Sequence, residues 1–201
     1  MQKVVCLDLE GVLVPEIWIN VARKTGIEEL LKTTRDEPDY DVLMRGRLAI
    51  LDREGLSLSD IVDVIETLEP FEGALEFTQS LRSKTQLIIL SDTFIQFSRP
   101  LMRKLAWPTL FCNHLIIDEE GRISGYTLRQ HDGKLKAVNA LKSIGYEVFA
   151  AGDSYNDLTM IRAADSGALF KAPQRIIESE HDLPHTTTYG ELEAIVDQFL
   201  L

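Results

Sequence analysis

Apolar and polar positions along this chain fall into two textures. Residues 3–9 (KVVCLDL) are a short apolar run with β-branched members, the pattern of a strand buried on both faces. A helix is predicted from near Glu16, just after Pro15, to Gly26, a natural residue for a helix C-terminus. Residues 33–40 are polar, contain Pro38 and read as a loop. Residues 41–54 read as a helix closed by Gly55. Ser57 with Asp60 three residues on has the form of a capping box opening a helix to about Leu68, and Pro70 breaks the pattern.

Beyond Pro70 strands and helices alternate. The pattern predicts a helix over 72–83, a buried strand over 86–90 ending at Ser91-Asp92-Thr93, and a helix from near Phe94. Residues 114–118 and 122–128, joined around Glu120-Gly121, read as a hairpin. Next come a helix over 134–144 ended by Gly145, a buried strand over 147–151 and a short strand over 167–170. A last helix carries Leu192, Ile195, Val196 and Phe199 at i, i+3, i+4, i+7. This alternation predicts an α/β protein with a doubly wound, Rossmann-like parallel sheet. Residues 14–70, nearly all helical, read as a small subdomain inserted after the first strand. The core is then 1–13 with 71–201. Insertions of this kind often cover an active site.

Composition narrows the functions. The 201 residues are 45% hydrophobic and 26% charged, which suits one folded core with a small subdomain. The formal charge of −11 disfavours nucleic acid and anionic membranes as partners. An anionic small molecule stays open, because a local cation offsets the global field. Cys6 and Cys112 give no Cys-x-x-Cys pattern and no disulfide framework, so a reducing, cytoplasmic setting is expected. The first apolar run is too short for a secretion signal, and no stretch approaches the roughly 18 apolar residues of a membrane span.

The chemistry is expected where strands end. In an open parallel sheet, ligands bind beyond the carboxyl ends of the strands. The predicted buried strands end in Asp8-Leu9-Glu10, in Ser91, and in Gly152-Asp153 with Asn156 and Asp157 just after. Carboxylates against buried apolar strands need a partner. Asp8, Asp153 and Asp157 brought together repel, and a hard divalent cation such as Mg²⁺ resolves that repulsion with carboxylates, water and phosphate oxygens. A carboxylate nucleophile beside a second carboxyl acting as acid and base is a workable pair for phosphoryl transfer. Asp-x-Glu by itself is equally the end of a strand with solvated acids. Lys134 opens a helix stripe with Ala137, Val138 and Leu141, so it either aims at an anion or lies along the helix rim. Ser91 either caps the next helix or gives its hydroxyl to a phosphate.

Four segments resemble, in order, the motifs of the haloacid dehalogenase-like hydrolase superfamily: Asp8-Leu9-Glu10-Gly11-Val12-Leu13, Leu90-Ser91-Asp92-Thr93, Gly133-Lys134 and Gly152-Asp153-Ser154-Tyr155-Asn156-Asp157. Within it the chain resembles the phosphoserine phosphatase branch. DLEGVLVPE, LSDTF and AAGDSYND resemble segments of the bifunctional group that also transfers phosphoryl from phosphoserine to homoserine. The resemblance implies that Asp8 is the nucleophile, forming an aspartyl-phosphate. Glu10 would be acid then base. Asp8, the Glu10 main chain and Asp153 would ligate Mg²⁺, with Asp157 supporting that shell. Ser91, Lys134 and Asn156 would contact the phosphoryl group, with Asp92 and Thr93 on the substrate side. L-phosphoserine and L-homoserine are the implied substrates, and a homodimer stays open.

Two departures stand out. Position 10 is Glu where the superfamily has Asp, which shifts the carboxyl by on the order of an ångström. Asp92 stands where ordinary members of the branch carry glycine, either capping the next helix or shaping the acceptor side.

In the 41–54 helix, Met44, Arg47, Leu48 and Leu51 share a face, and an arginine on an apolar stripe suits bidentate capture of a carboxylate. The resemblance points the same way and offers Glu16 for the substrate ammonium. Read alone, Arg47 snorkels and Glu16 complements a helix dipole. Cys6, Trp18 and Trp107 read as packing, and the histidines show no metal spacing. The competing readings are a phosphatase for another small phosphomonoester, a dehalogenase, a phospho-aspartate signalling module, and a scaffold inactivated by Glu10.

Overall fold

The computed structural model describes residues 2–33, 36, 37 and 39–201. Strand β1 (Gln2–Leu7) buries Val5 and Leu7 in the apolar cluster on one face of the sheet. Val4 and Cys6 enter the cluster on the other, as strand alternation requires. The strand ends at Leu7, so Asp8 stands at its exit rather than inside it. Residues 9–14 then turn tightly, with the amides of Leu13 and Val14 both donating to the Leu9 carbonyl.

Three helices come next: α1 (Ile17–Thr25), α2 (Tyr40–Arg53) and α3 (Leu58–Glu66). Gly26 ends α1 in the left-handed region at φ 73°. The Asp39 side chain accepts from the Val42 amide at the start of α2, and Ser57 with Asp60 forms the predicted capping box on α3. A 3-10 turn at Glu28–Leu31 was not predicted. Of the predicted 33–40 loop, residue 40 belongs to α2, and residues 34, 35 and 38 lie outside the described residues.

The rest of the chain runs α4 (Ala74–Lys84), β2 (Gln86–Phe94), α5 (Ile95–Lys104), β3 (Thr109–Ile117), β4 (Ile123–Thr127), α6 (Gly133–Ser143), β5 (Tyr146–Gly152), α7 (Leu158–Ala163), β6 (Ser166–Phe170), α8 (Gln174–Ser179), β7 (His185–Thr186) and α9 (Tyr189–Leu200). Among the described residues, seven strands form one sheet in the order β4-β3-β2-β1-β5-β6-β7. All neighbours are parallel except β3 and β4. This is the expected doubly wound α/β architecture, and it sets the exits of β1, β2 and β5 side by side.

Three expectations need correction. The second strand does not stop at Ser91: it reaches Phe94, with its register against β3 broken between Leu90 and Phe94. The predicted hairpin forms, but its first strand begins at Thr109 rather than 114, pairing with β2 opposite Ile88 before it pairs with β4. Helices α7 and α8 and strand β7 escaped prediction, being too short to show a period. No helix of the described residues is long and apolar enough to cross a membrane.

The helices between β1 and α4 sit against the hairpin and α5. The Leu58 amide donates to the Gly121 carbonyl at 3.0 Å, and the Tyr126 hydroxyl donates to Asp41. Lys104 donates to the Leu68 carbonyl at 2.6 Å. Below them Trp18 meets Phe97 edge-on, with centroids 5.5 Å apart, and Phe97 meets Phe94 in the same way.

Candidate active site

The strand exits gather the predicted acids. Asp8, Asp153 and Asp157 are buried, and carboxylate oxygens from all three lie within 4.8 Å of one another. Lys134, from the first turn of α6, puts Nζ 2.7 Å from Asp157 Oδ1 and 2.9 Å from Asp8 Oδ1. Its side chain is 6% exposed, which rules out a lysine lying along the rim. Burial works to lower the Lys134 pKa, but Asp157, Asp8 and Asp92 overcome it and hold it well above the usual lysine value. Asp8 is driven well above the ordinary carboxylate range, chiefly by burial and then by the Asp157 charge, against Lys134.

Each acid has a distinct setting. Asp8 Oδ1 accepts from the Leu9 amide at 2.7 Å as well as meeting Lys134, and none of these bonds engages Oδ2. Asp157 Oδ2 accepts from the amides of Asp153 and Ser154 at 3.1 and 3.0 Å, while Oδ1 takes Lys134. Asp157 therefore builds the loop and holds the lysine. Gly152 is required beside it, since a Cβ there would lie 2.3 Å from Asp157 Cγ. Gly11, at φ 79°, passes so close to Asp153 that a Cβ would lie 2.5 Å from its Cγ.

These donors fit a hard divalent cation. The buried acids outnumber the lysine, their oxygens are spaced for one shared ion, and oxygen is the ligand such ions prefer. Asp157 already holds Lys134 and the loop amides.

Glu10 Oε2 accepts from the Ile17 amide at 2.8 Å, at the start of α1. The extra methylene relative to aspartate thus carries the carboxyl to the helical insertion. Burial first, then the Glu16 charge, raises its pKa to about 7, while the Ile17 amide, Arg47 and Lys134 oppose the rise. A carboxyl in that range exchanges protons readily near neutrality.

Neither Ser91 nor Asp92 caps α5. Ser91 is buried and its Oγ accepts from the amide of Thr93, also buried, at 3.2 Å. Asp92 points into the site: Oδ2 accepts from Asn156 Nδ2 at 3.1 Å and lies 3.8 Å from Lys134 Nζ. Its carbonyl accepts from Asn113 Nδ2 at 3.0 Å and from the Tyr40 hydroxyl at 3.1 Å. Ser91, Asp92, Phe111, Asn113, Arg129 and Lys134 line a small cleft here.

Arg47 does not snorkel. It is 8% exposed, its guanidinium lies 4.6 Å over the Trp18 ring, and Nη2 donates to the Lys32 carbonyl at 2.8 Å. Its Nε is buried without a hydrogen-bond partner, an open donor on a buried cation. Burial brings its pKa down to about 10 against the pull of Glu10, Tyr40 and Glu16. Glu16 is half-buried at the N-cap of α1, and its side chain makes no capping bond. Trp18 thus packs beneath Arg47, as its packing role predicts. Tyr40 and Asn113 were missed. Tyr40 lies two helical turns before Arg47, and Asn113 is a buried polar residue in the middle of β3.

A family described as haloacid dehalogenase-like hydrolase matches residues 2–165. The chain belongs to the haloacid dehalogenase-like hydrolases. Among curated members it is 58% identical over 191 residues to a phosphoserine phosphatase of Pseudomonas syringae pv. tomato, covering 95% of this chain and 81% of that one. It is 57% identical to the phosphoserine phosphatase ThrH of Pseudomonas aeruginosa, covering 95% and 93%. A solved phospho-aspartyl intermediate analogue of a phosphoserine phosphatase superposes with TM-score 0.76 at 23% identity, covering 92% and 94%. That likeness shows the shared fold of this hydrolase and its relative.

Proposed function

We propose that this hydrolase is a Mg²⁺-dependent phosphoserine phosphatase that also passes the phosphoryl group of L-phosphoserine to L-homoserine, through an aspartyl-phosphate on Asp8. The observation that carries the reading is the buried Asp8–Lys134 pair, 2.9 Å apart, amid two further acids at the strand exits. The names of the relatives supply the substrate class. In this reading residues 14–70 cap the core formed by 1–13 and 71–201. Both cysteines are free and at least partly buried, which suits a reducing cytoplasm.

Asp8 Oδ2, the oxygen left open, attacks phosphorus as the serine O–P bond breaks. Glu10 gives its proton to the leaving serine oxygen. It then takes one from the acceptor, whose oxygen attacks phosphorus and releases Asp8. Lys134 holds Asp8 in place and balances charge on the phosphoryl oxygens, joined there by the Ser91 hydroxyl and Asn156. Thr93 orients Ser91 through its amide. Asp8, Asp153 and the Glu10 carbonyl would hold the cation, which when bound screens the repulsion between Asp8 and the phosphoryl oxygens. Arg47 takes the substrate carboxylate and Glu16 its ammonium. Serine and homoserine share both groups, so one clamp serves donor and acceptor in turn.

Turnover of L-phosphoserine, glycerol phosphate and phosphoethanolamine tests the reading. The expected kcat/KM is highest for phosphoserine, which alone carries both clamp groups. Equal turnover of all three would overturn it in favour of a general small-phosphomonoester phosphatase.

A further inference from the structure

Tyr40 opens α2 and Arg47 follows seven residues later, so both occupy one helix face. The Tyr40 hydroxyl reaches out of the insertion to the Asp92 carbonyl at 3.1 Å. Asn113 donates to the same carbonyl from β3, so both of its lone pairs are occupied. That peptide joins Ser91 to Thr93 by way of Asp92, whose carboxylate faces Lys134 and Asn156. Of the other bonds described above between the insertion and the core, those at Leu58, Asp41 and Leu68 end on the hairpin and α5, and the Ile17 amide ends on Glu10. The Tyr40 ring also packs edge-on against Tyr126, with centroids 6.0 Å apart, so the ring and the hydroxyl do separable work.

We propose that Tyr40 is a positioning residue whose hydroxyl latches the helical insertion onto the Asp92 peptide. The latch keeps the Arg47 face closed over the site while the phosphoryl group rests on Asp8. This rests on the reading of the insertion as a cap and of Asp8 as the phosphoryl carrier. A closed cap holds the acceptor amino acid in and water out, so the latch also biases the fate of the phosphoryl group.

Tyr40→Phe keeps the ring and removes the hydroxyl. Losing one neutral hydrogen bond made only in the closed form shifts closing by about fivefold. Backbone hydrogen exchange of the full chain reads this without substrate: exchange over residues 40–53 should quicken by about that factor, with α9 unchanged. Asn113→Ala loosens the same carbonyl from the core side and should leave residues 40–53 at the wild-type rate. With phosphoserine and homoserine, Tyr40→Phe should shift the ratio of phosphohomoserine to phosphate toward phosphate. If the wild type releases only phosphate, the readout becomes KM for phosphoserine, which should rise with kcat little changed.

Unchanged exchange in Tyr40→Phe overturns the latch. So does equal quickening in Asn113→Ala, or faster exchange with neither product ratio nor KM altered. A wild type that leaves phosphoserine intact contradicts the functional reading instead, and exchange alone then decides the latch.

Discussion

Replacing Lys134 with methionine removes the ammonium that, among the described residues, pairs with both Asp8 and Asp157, while nearly conserving side-chain shape. Nζ lies 2.7 Å from Asp157 and 2.9 Å from Asp8, and all three side chains are under a tenth exposed. Without the ammonium, two buried carboxylates face Asp153 with no comparable counter-charge among the described residues. Breaking a buried ion pair by deleting one partner costs about 3–5 kcal/mol. For a chain of this length each kcal/mol is worth roughly 2–4 °C, so the melting temperature should fall by about 6–20 °C. Melts at pH 7 in a chelator measure this directly. Adding Mg²⁺ should restore part of the loss, because the ion supplies positive charge to the same oxygens. A Lys134→Met melting temperature within about 2 °C of wild type would refute the claim that Lys134 is the structural counter-charge.

Other substitutions probe the remaining parts. Asp8→Asn should abolish turnover yet raise the melting temperature in chelator, since it removes one of three crowded carboxylates; unchanged turnover would refute the nucleophile assignment. Gly11→Ala places a Cβ against Asp153 and forces alanine to φ 79°, a strain of about 1–2 kcal/mol. It should raise the Mg²⁺ concentration needed for half-maximal activity, and normal Mg²⁺ dependence would contradict the placement of Asp153 at the ion. On the proposed clamp, Arg47→Met removes a charged hydrogen bond to the substrate carboxylate, worth about 1.5–3 kcal/mol, or roughly ten- to a hundredfold in kcat/KM for phosphoserine. The variant should leave glycerol phosphate turnover unchanged; equal loss on both esters would mean that Arg47 only supports packing.

The convergence of Asp8, Asp153 and Asp157 is legible in the sequence because it depends on where apolar strands stop. Val-Val-Cys-Leu before Asp8 and Val-Phe-Ala-Ala before Gly152-Asp153 mark strand exits with no tertiary information, and parallel pairing makes such exits converge. The Ser57–Asp60 box and the Gly26 terminator were legible because capping is a local interaction. The two-residue β7 and the six-residue helices α7 and α8 were not, since each holds less than two turns of its own period. The first half of β3 was hidden by the polar residues Asn113 and His114 in its middle. The fate of Glu10 could not be read either. Whether a longer side chain overshoots the substrate or finds an anchor depends on Ile17, whose amide the 9–14 turn brings back to it. Pro38, two residues before Tyr40, gives that stretch the pattern of a loop, and only the folded chain shows the Tyr40 hydroxyl on Asp92.

Passage of the phosphoryl group through Asp8 to an amino-acid alcohol can be followed by phosphorus NMR. The protein is incubated with L-phosphoserine, Mg²⁺ and excess L-homoserine while the phosphoserine signal is followed. That signal should convert to phosphohomoserine together with inorganic phosphate, and neither product should form with Asp8→Asn. Inorganic phosphate alone would contradict the transfer step and leave a hydrolase. A phosphoserine signal that never declines would contradict the substrate assignment and, with it, the clamp built from Arg47 and Glu16.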